Sequence, residues 1–120
     1  MKALMLGALA AALLPATAQA GENWREMTTV DGIVFAIDLD SIKTVGKLRH
    51  FRVRTTKPGA TLVGYYDNAA DCAALTVDTL YGEASNNGVI LRKQLFKPGE
   101  MRNRLDDDQG KLIYSLVCGG

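Results

Sequence analysis

Few side chains in this 120-residue sequence have the types and spacing that chemistry needs. His50 is the single histidine, and the two cysteines lie far apart, so neither repeated imidazoles nor a thiolate pair is at hand for a zinc site of the usual composition. A Ser-His-Asp triad would need a serine at a nucleophile elbow, and no Gly-x-Ser-x-Gly run occurs. His50, Arg52 and Arg54 alternate along one β-prone segment, which places them on one face as a short basic stripe. Such a stripe suits an acidic partner, a sulfated glycan or a lipid phosphate. As a plain solvated face it would instead pair with acids such as Asp78 on a neighbouring strand. Asp106, Asp107 and Asp108 lack the alternate spacing and glycine of a calcium loop, as do Asp67, Asn68 and Asp71. Tyr65, Tyr66 and Tyr81 read as core or half-buried strand residues, with an aromatic binding platform as the alternative. No phosphate-cradling glycine loop or Cys-x-x-Cys motif is present. The expectation is a non-enzymatic protein with no cofactor and no metal.

Cys72 and Cys118 take their meaning from the N-terminus. Lys2 precedes an apolar run from Ala3 to Leu14, and Pro15 ends it ahead of Ala18-Gln19-Ala20, the layout of a cleaved secretory signal. The run is short of the roughly 20 apolar residues that a spanning helix needs. The expected organisation is a signal peptide over residues 1–20 and a single domain over 21–120, with no transmembrane segment after cleavage. An exported chain folds where disulfides persist, so the two cysteines read as one intramolecular bridge. Free thiols or an intermolecular bridge are the alternatives.

Loss of Lys2 with the signal leaves thirteen basic against thirteen acidic residues. A balanced domain has no global attraction to nucleic acid or anionic lipid, so electrostatic recognition must come from local patches.

The elements that must position these residues are mostly strands. Trp24 to Val30 and Ile33 to Asp38 flank an Asp31-Gly32 hairpin turn, and in the second segment Ile33, Phe35 and Ile37 share a face. Asp38 to Ile42 is polar enough to predict a turn or one helical turn. Leu48 to Thr55 alternates, with Phe51 and Val53 opposite the basic stripe, and Lys57-Pro58-Gly59 ends it. Thr61 to Tyr66 reads as a strand stopped by Asp67-Asn68. A strand opened or preceded by Cys72 runs through Tyr81, with Leu75, Val77, Thr79 and Tyr81 on one face. Asn86-Asn87-Gly88 then turns the chain into Val89 to Phe96, which Lys97-Pro98-Gly99 ends. Leu105, Leu112, Ile113 and Leu116 fall at helical spacing behind the aspartates, which suit a helix start, and Gly119-Gly120 stops the helix. The pattern predicts an α+β fold: about six strands in a mainly antiparallel sheet, with one C-terminal helix packed on it.

Trp24, Asp31-Gly32, the segment Phe35-Ala36-Ile37-Asp38-Leu39-Asp40-Ser41-Ile42, the strand Arg49 to Arg54, Tyr66, Asp71-Cys72, Tyr114 and Cys118 together form a pattern across the whole domain. It resembles the surface-adhesin protein E family of small exported bacterial proteins. The resemblance implies an antiparallel sheet with a terminal helix tethered by a Cys72–Cys118 bridge, a turn fixed by Asp40 and Ser41, and a packing role for Trp24. The family is named for adhesins that bind host extracellular-matrix proteins and are displayed through a lipid anchor. No cysteine adjoins Ala18-Gln19-Ala20, so this chain reads as a non-lipidated member. The expected function is a soluble binding protein of the bacterial envelope, periplasmic, whose partner is a protein, an envelope glycan or a lipid head group. The alternatives are a secreted or surface-exposed adhesin for host matrix and an inhibitor of an envelope-directed hydrolase.

Overall fold

A computed structural model describes residues 22–119, so the expected signal segment and its cleavage site lie outside the described residues. Strand β1 (Trp24–Val30) turns into β2 (Ile33–Val45) through Asp31 and Gly32, both at positive φ (52° and 78°). That is the backbone a tight hairpin requires, and Asp and Gly tolerate it. Strands β3 (Leu48–Thr56), β4 (Leu62–Asp71), β5 (Thr76–Asn86) and β6 (Val89–Leu95) follow, then β7 (Arg102–Arg104) and the helix α1 (Asp108–Val117). The first six strands form an antiparallel meander in chain order, β1 to β6, and β7 pairs with the start of β5. The predicted α+β architecture is the observed one, with seven strands where about six were expected.

The seventh strand is only three residues long and is held by side chains. The Arg102 guanidinium grips the Asp78 carboxylate at 2.7 and 2.9 Å. Hydrogen bonding from Arg102 holds the Asp78 carboxyl below its ordinary range, against the opposing effect of burial. Asp78 is therefore committed to Arg102 and does not serve the basic stripe as expected.

Two predicted breaks are irregularities inside longer strands. Asp38 to Ile42 is no turn: β2 continues to Val45 and the register with β3 slips between Asp38 and Lys43. Polar side chains replace ladder bonds there. The Asp38 carboxylate accepts the backbone N–H groups of Asn23 (2.9 Å) and Asp40 (3.1 Å). Ser41 donates its hydroxyl to the Asp38 carbonyl (2.6 Å) and accepts the Arg52 N–H (2.8 Å). Likewise Asp67-Asn68 does not end β4, which runs on through buried Ala69 and Ala70. The register places Asn68 opposite Thr79 but Asp67 opposite Tyr81, leaving Leu80 as an extra residue. One extra residue inverts side-chain parity. Tyr81 thus faces the side opposite Val77 and Thr79, contrary to the shared face expected of them. Leu75 lies outside the strand altogether, at φ 60° in the turn over residues 72–75.

The core sits between one side of the sheet and α1. Ile37, Phe51, Val53, Ala70 and Val77 meet Leu105 and Val117, all buried. Asp107 caps α1, its carboxylate accepting the Gly110 N–H at 2.7 Å, as the aspartate run suggested. A Cβ at Gly110 would fall 2.6 Å from Leu105 Cα, so only glycine lets the first helical turn press onto the incoming chain. Cys72, just past β4, is bonded to Cys118 at the end of the helix, with their Cα atoms 5.7 Å apart. The bridge bolts the helix to the sheet, and such a bond is compatible with an extracytoplasmic protein.

Candidate functional site

Strand parity sorts the side chains of β3. Phe51 and Val53 face α1 and are buried, while His50, Arg52 and Arg54 face the other side. Among the described residues no helix or second sheet lies over that side. Cross-strand register sets Trp24, Asp38, Arg52, Asp67 and Tyr81 in one row across it. Ala36, Arg54, Tyr65 and Glu83 form the adjacent row.

Within these rows, cations and rings alternate. The Arg54 guanidinium carbon lies 4.5 Å from the centre of the Trp24 ring, and that of Arg52 lies 5.0 Å from the centre of Tyr65. The two rings are tilted against each other with centroids 6.0 Å apart. Each cation–π contact contributes about 0.5–1 kcal/mol at an exposed site. Ala36 and Asp38 belong to this face yet are buried, which a stack lying flat on the sheet produces. The Nε–H groups of Arg52 and Arg54 are covered without a hydrogen-bond partner. The stack therefore immobilises both arginines by ring contact more than by hydrogen bonds.

Acids flank Arg52 on both sides. Asp67 lies 3.5 Å from its Nε and Glu83 lies 3.9 Å from its Nη2, close enough for Coulombic attraction though not for hydrogen bonds. With 40% of the Arg52 side chain exposed, solvent screens both pairs, so they orient more than they stabilise. Tyr81 donates its hydroxyl to Glu83 at 2.9 Å, and that bond raises the phenol above its ordinary value.

The predicted stripe is thus real as geometry and different as chemistry. Both arginines are stacked on rings and Arg52 is also flanked by acids, so they do not form a plain basic strip. His50 lies a step further along, opposite Lys43 and Ala69, apart from the aromatic cluster. Trp24, Tyr65, Asp67, Tyr81 and Glu83 were not singled out as one site in the sequence. The pairing of Trp24 with Asp38 needs the β1–β2 hairpin, which Asp31-Gly32 signals, and also a bulge that leaves Met27 as an extra residue and inverts the parity of the strand before it, which nothing local signals. The placement of Tyr81 needed the Leu80 bulge, which nothing local signals.

The aspartate run is accounted for by structure. Asp106 pairs with Arg104 at 2.7 and 2.6 Å, which lowers the Asp106 carboxyl, and Asp107 is the helix cap. Among the described residues no three His, Cys, Asp or Glu side chains converge on a common point. None of the described helices is long and apolar enough to cross a membrane. Comparison with protein-family models, curated proteins and solved structures finds no match.

Proposed function

We propose that this is a non-enzymatic binding protein of the bacterial envelope that recognises a protein partner through the open face of its sheet. The observation that carries the reading is the uncovered Arg54–Trp24–Tyr65–Arg52 stack. Trp, Tyr and Arg are enriched among protein–protein hot spots, and the two aromatic rings bury a large area at small entropic cost. Here the stack already fixes their rotamers, so less freedom is lost on association. The flanking Asp67 and Glu83 weigh against a sulfated glycan or a lipid phosphate, which would have to displace them from Arg52. The envelope location rests on the signal-like N-terminus and the disulfide, and on the resemblance to surface-adhesin protein E. That resemblance makes an exposed host protein one form the partner could take.

The test uses the pair Trp24→Ala and Tyr65→Ala, which leaves the helix-side core intact. Formaldehyde treatment of intact cells is expected to join the wild-type protein to a discrete protein of the envelope. The double variant, exported and folded, is expected to lose that adduct by about tenfold or more, the loss of one to two hot-spot side chains. An adduct of equal yield in the double variant would remove the open face from consideration.

A further inference from the structure

The other side of the sheet holds a second feature, independent of the open face. α1 is anchored at its start by Gly110 and at its end by Val117 and Cys118, all packed inward. Between these anchors the helix stands off the sheet and leaves a groove of about 300 Å³. Its walls include Met27, Phe35, Phe51, Val77, Leu112 and Ile113. The volume is at the small end of ligand sites, and the lining is mixed, with Asn68, Thr79, Asn103 and Gln109 beside the apolar side chains.

Those polar groups sit within the groove. Asn68 is 7% exposed and lines it together with Thr79. Thr79 donates its hydroxyl to Asn68 Oδ1 at 2.8 Å, and Asn68 Nδ2 donates to the Tyr66 carbonyl at 3.2 Å. A carboxamide has two N–H donors and two acceptor lone pairs, so one of each stays unspent on Asn68. The charged groups that line the groove are already used. Arg104 is locked bidentate on Asp106, and Asp107 is held by the Gly110 N–H. An anionic ligand would find no free cation there, and burying it unpaired would be costly.

We infer that this groove is a binding site for a small neutral molecule with an apolar body and one hydroxyl, amide, arylamine or carbonyl group directed to Asn68 and Thr79. The apolar body replaces water against Phe35, Phe51 and Ile113, and the polar group takes the unspent valences of the carboxamide.

The experiment uses the disulfide-intact protein and N-phenyl-1-naphthylamine, a neutral fluorescent probe with an apolar body and a single N–H. The expected result is saturable binding with a stoichiometry of one, accompanied by movement of the Asn68 side-chain amide resonances in an NMR titration. The anionic counterpart 8-anilinonaphthalene-1-sulfonate is expected to bind at least severalfold more weakly. Leu112→Asp places a charge on the groove wall at a residue 41% exposed, where the fold tolerates it. It is expected to weaken the neutral probe about tenfold, the worth of roughly half a leucine side chain of buried area. Trp24→Ala, on the opposite face, is expected to leave probe binding unchanged. The inference is overturned by non-saturating fluorescence, by equal binding in folded Leu112→Asp, or by resonance shifts centred on the exposed apolar residues Val89, Ile90, Leu91 and Leu95 of β6.

Discussion

Replacing Cys118 with serine is expected to lower the unfolding free energy by about 4 kcal/mol, the loop-closure entropy restored to a chain whose bridged residues are 46 apart. Few single changes in a domain of this size cost as much, because total stability is only about 5–15 kcal/mol. The reason lies in what the bridge closes. The loop between Cys72 and Cys118 contains β5, β6, β7 and α1, so its loss frees half the fold in the unfolded state. α1 itself has ten residues, too few to be stable in isolation. Urea titration followed by helical circular dichroism is the measurement. A large drop in midpoint is expected, with a steeper slope because the unlinked unfolded chain exposes more surface, and an unchanged midpoint would mean that packing alone holds the helix.

The second large effect is expected at Leu105, the residue between β7 and α1. It is 1% exposed, its backbone N–H bonds the Leu75 carbonyl at 2.9 Å, and its side chain belongs to the main apolar cluster. Leu105→Ala is expected to cost about 3 kcal/mol, the transfer of the lost atoms plus the cavity they leave. Close packing of Gly110 against Leu105 leaves the helix little freedom to collapse into that space. Since Leu105 and Cys118 anchor opposite ends of the same helix, their effects are coupled. Once one anchor is lost, the second holds a helix already partly released, so the double variant is expected to lose less than the sum. Strict additivity, measured in the same urea titrations, would show that the two ends are held independently.

Much of this fold is legible in its residues. Asp31-Gly32 and Asn87-Gly88 sit at positive φ in tight hairpin turns, and the Phe51/Val53 alternation against Arg52/Arg54 assigns the two faces of β3. The Asp107 cap and the Cys72–Cys118 bridge were also readable. What escaped were the bulges, for a physical reason. A strand that slips its register must satisfy stranded backbone groups with side chains, and Asp, Asn and Ser do that best. Asp38, Ser41 and Asn68 are therefore the same residue types that mark a turn. Local sequence does not separate the two uses; only the partner strand does. The error propagates to the site, because the extra Leu80 moves Tyr81 onto the open face beside Glu83 and Asp67. The basic stripe was visible, but the rings that stack on it come from β1 and β4, and their placement depends on register rather than composition.

The account turns on the open face being the surface that meets the partner. Its most direct measurement places a photo-activated cross-linking amino acid, in separate strains, at exposed Asp67 on that face and at exposed Lys111 on α1. Illumination of intact cells is expected to give a discrete protein adduct from position 67 and none from position 111. Adducts from position 111 alone, or none from 67 while the protein is folded and exported, would contradict it.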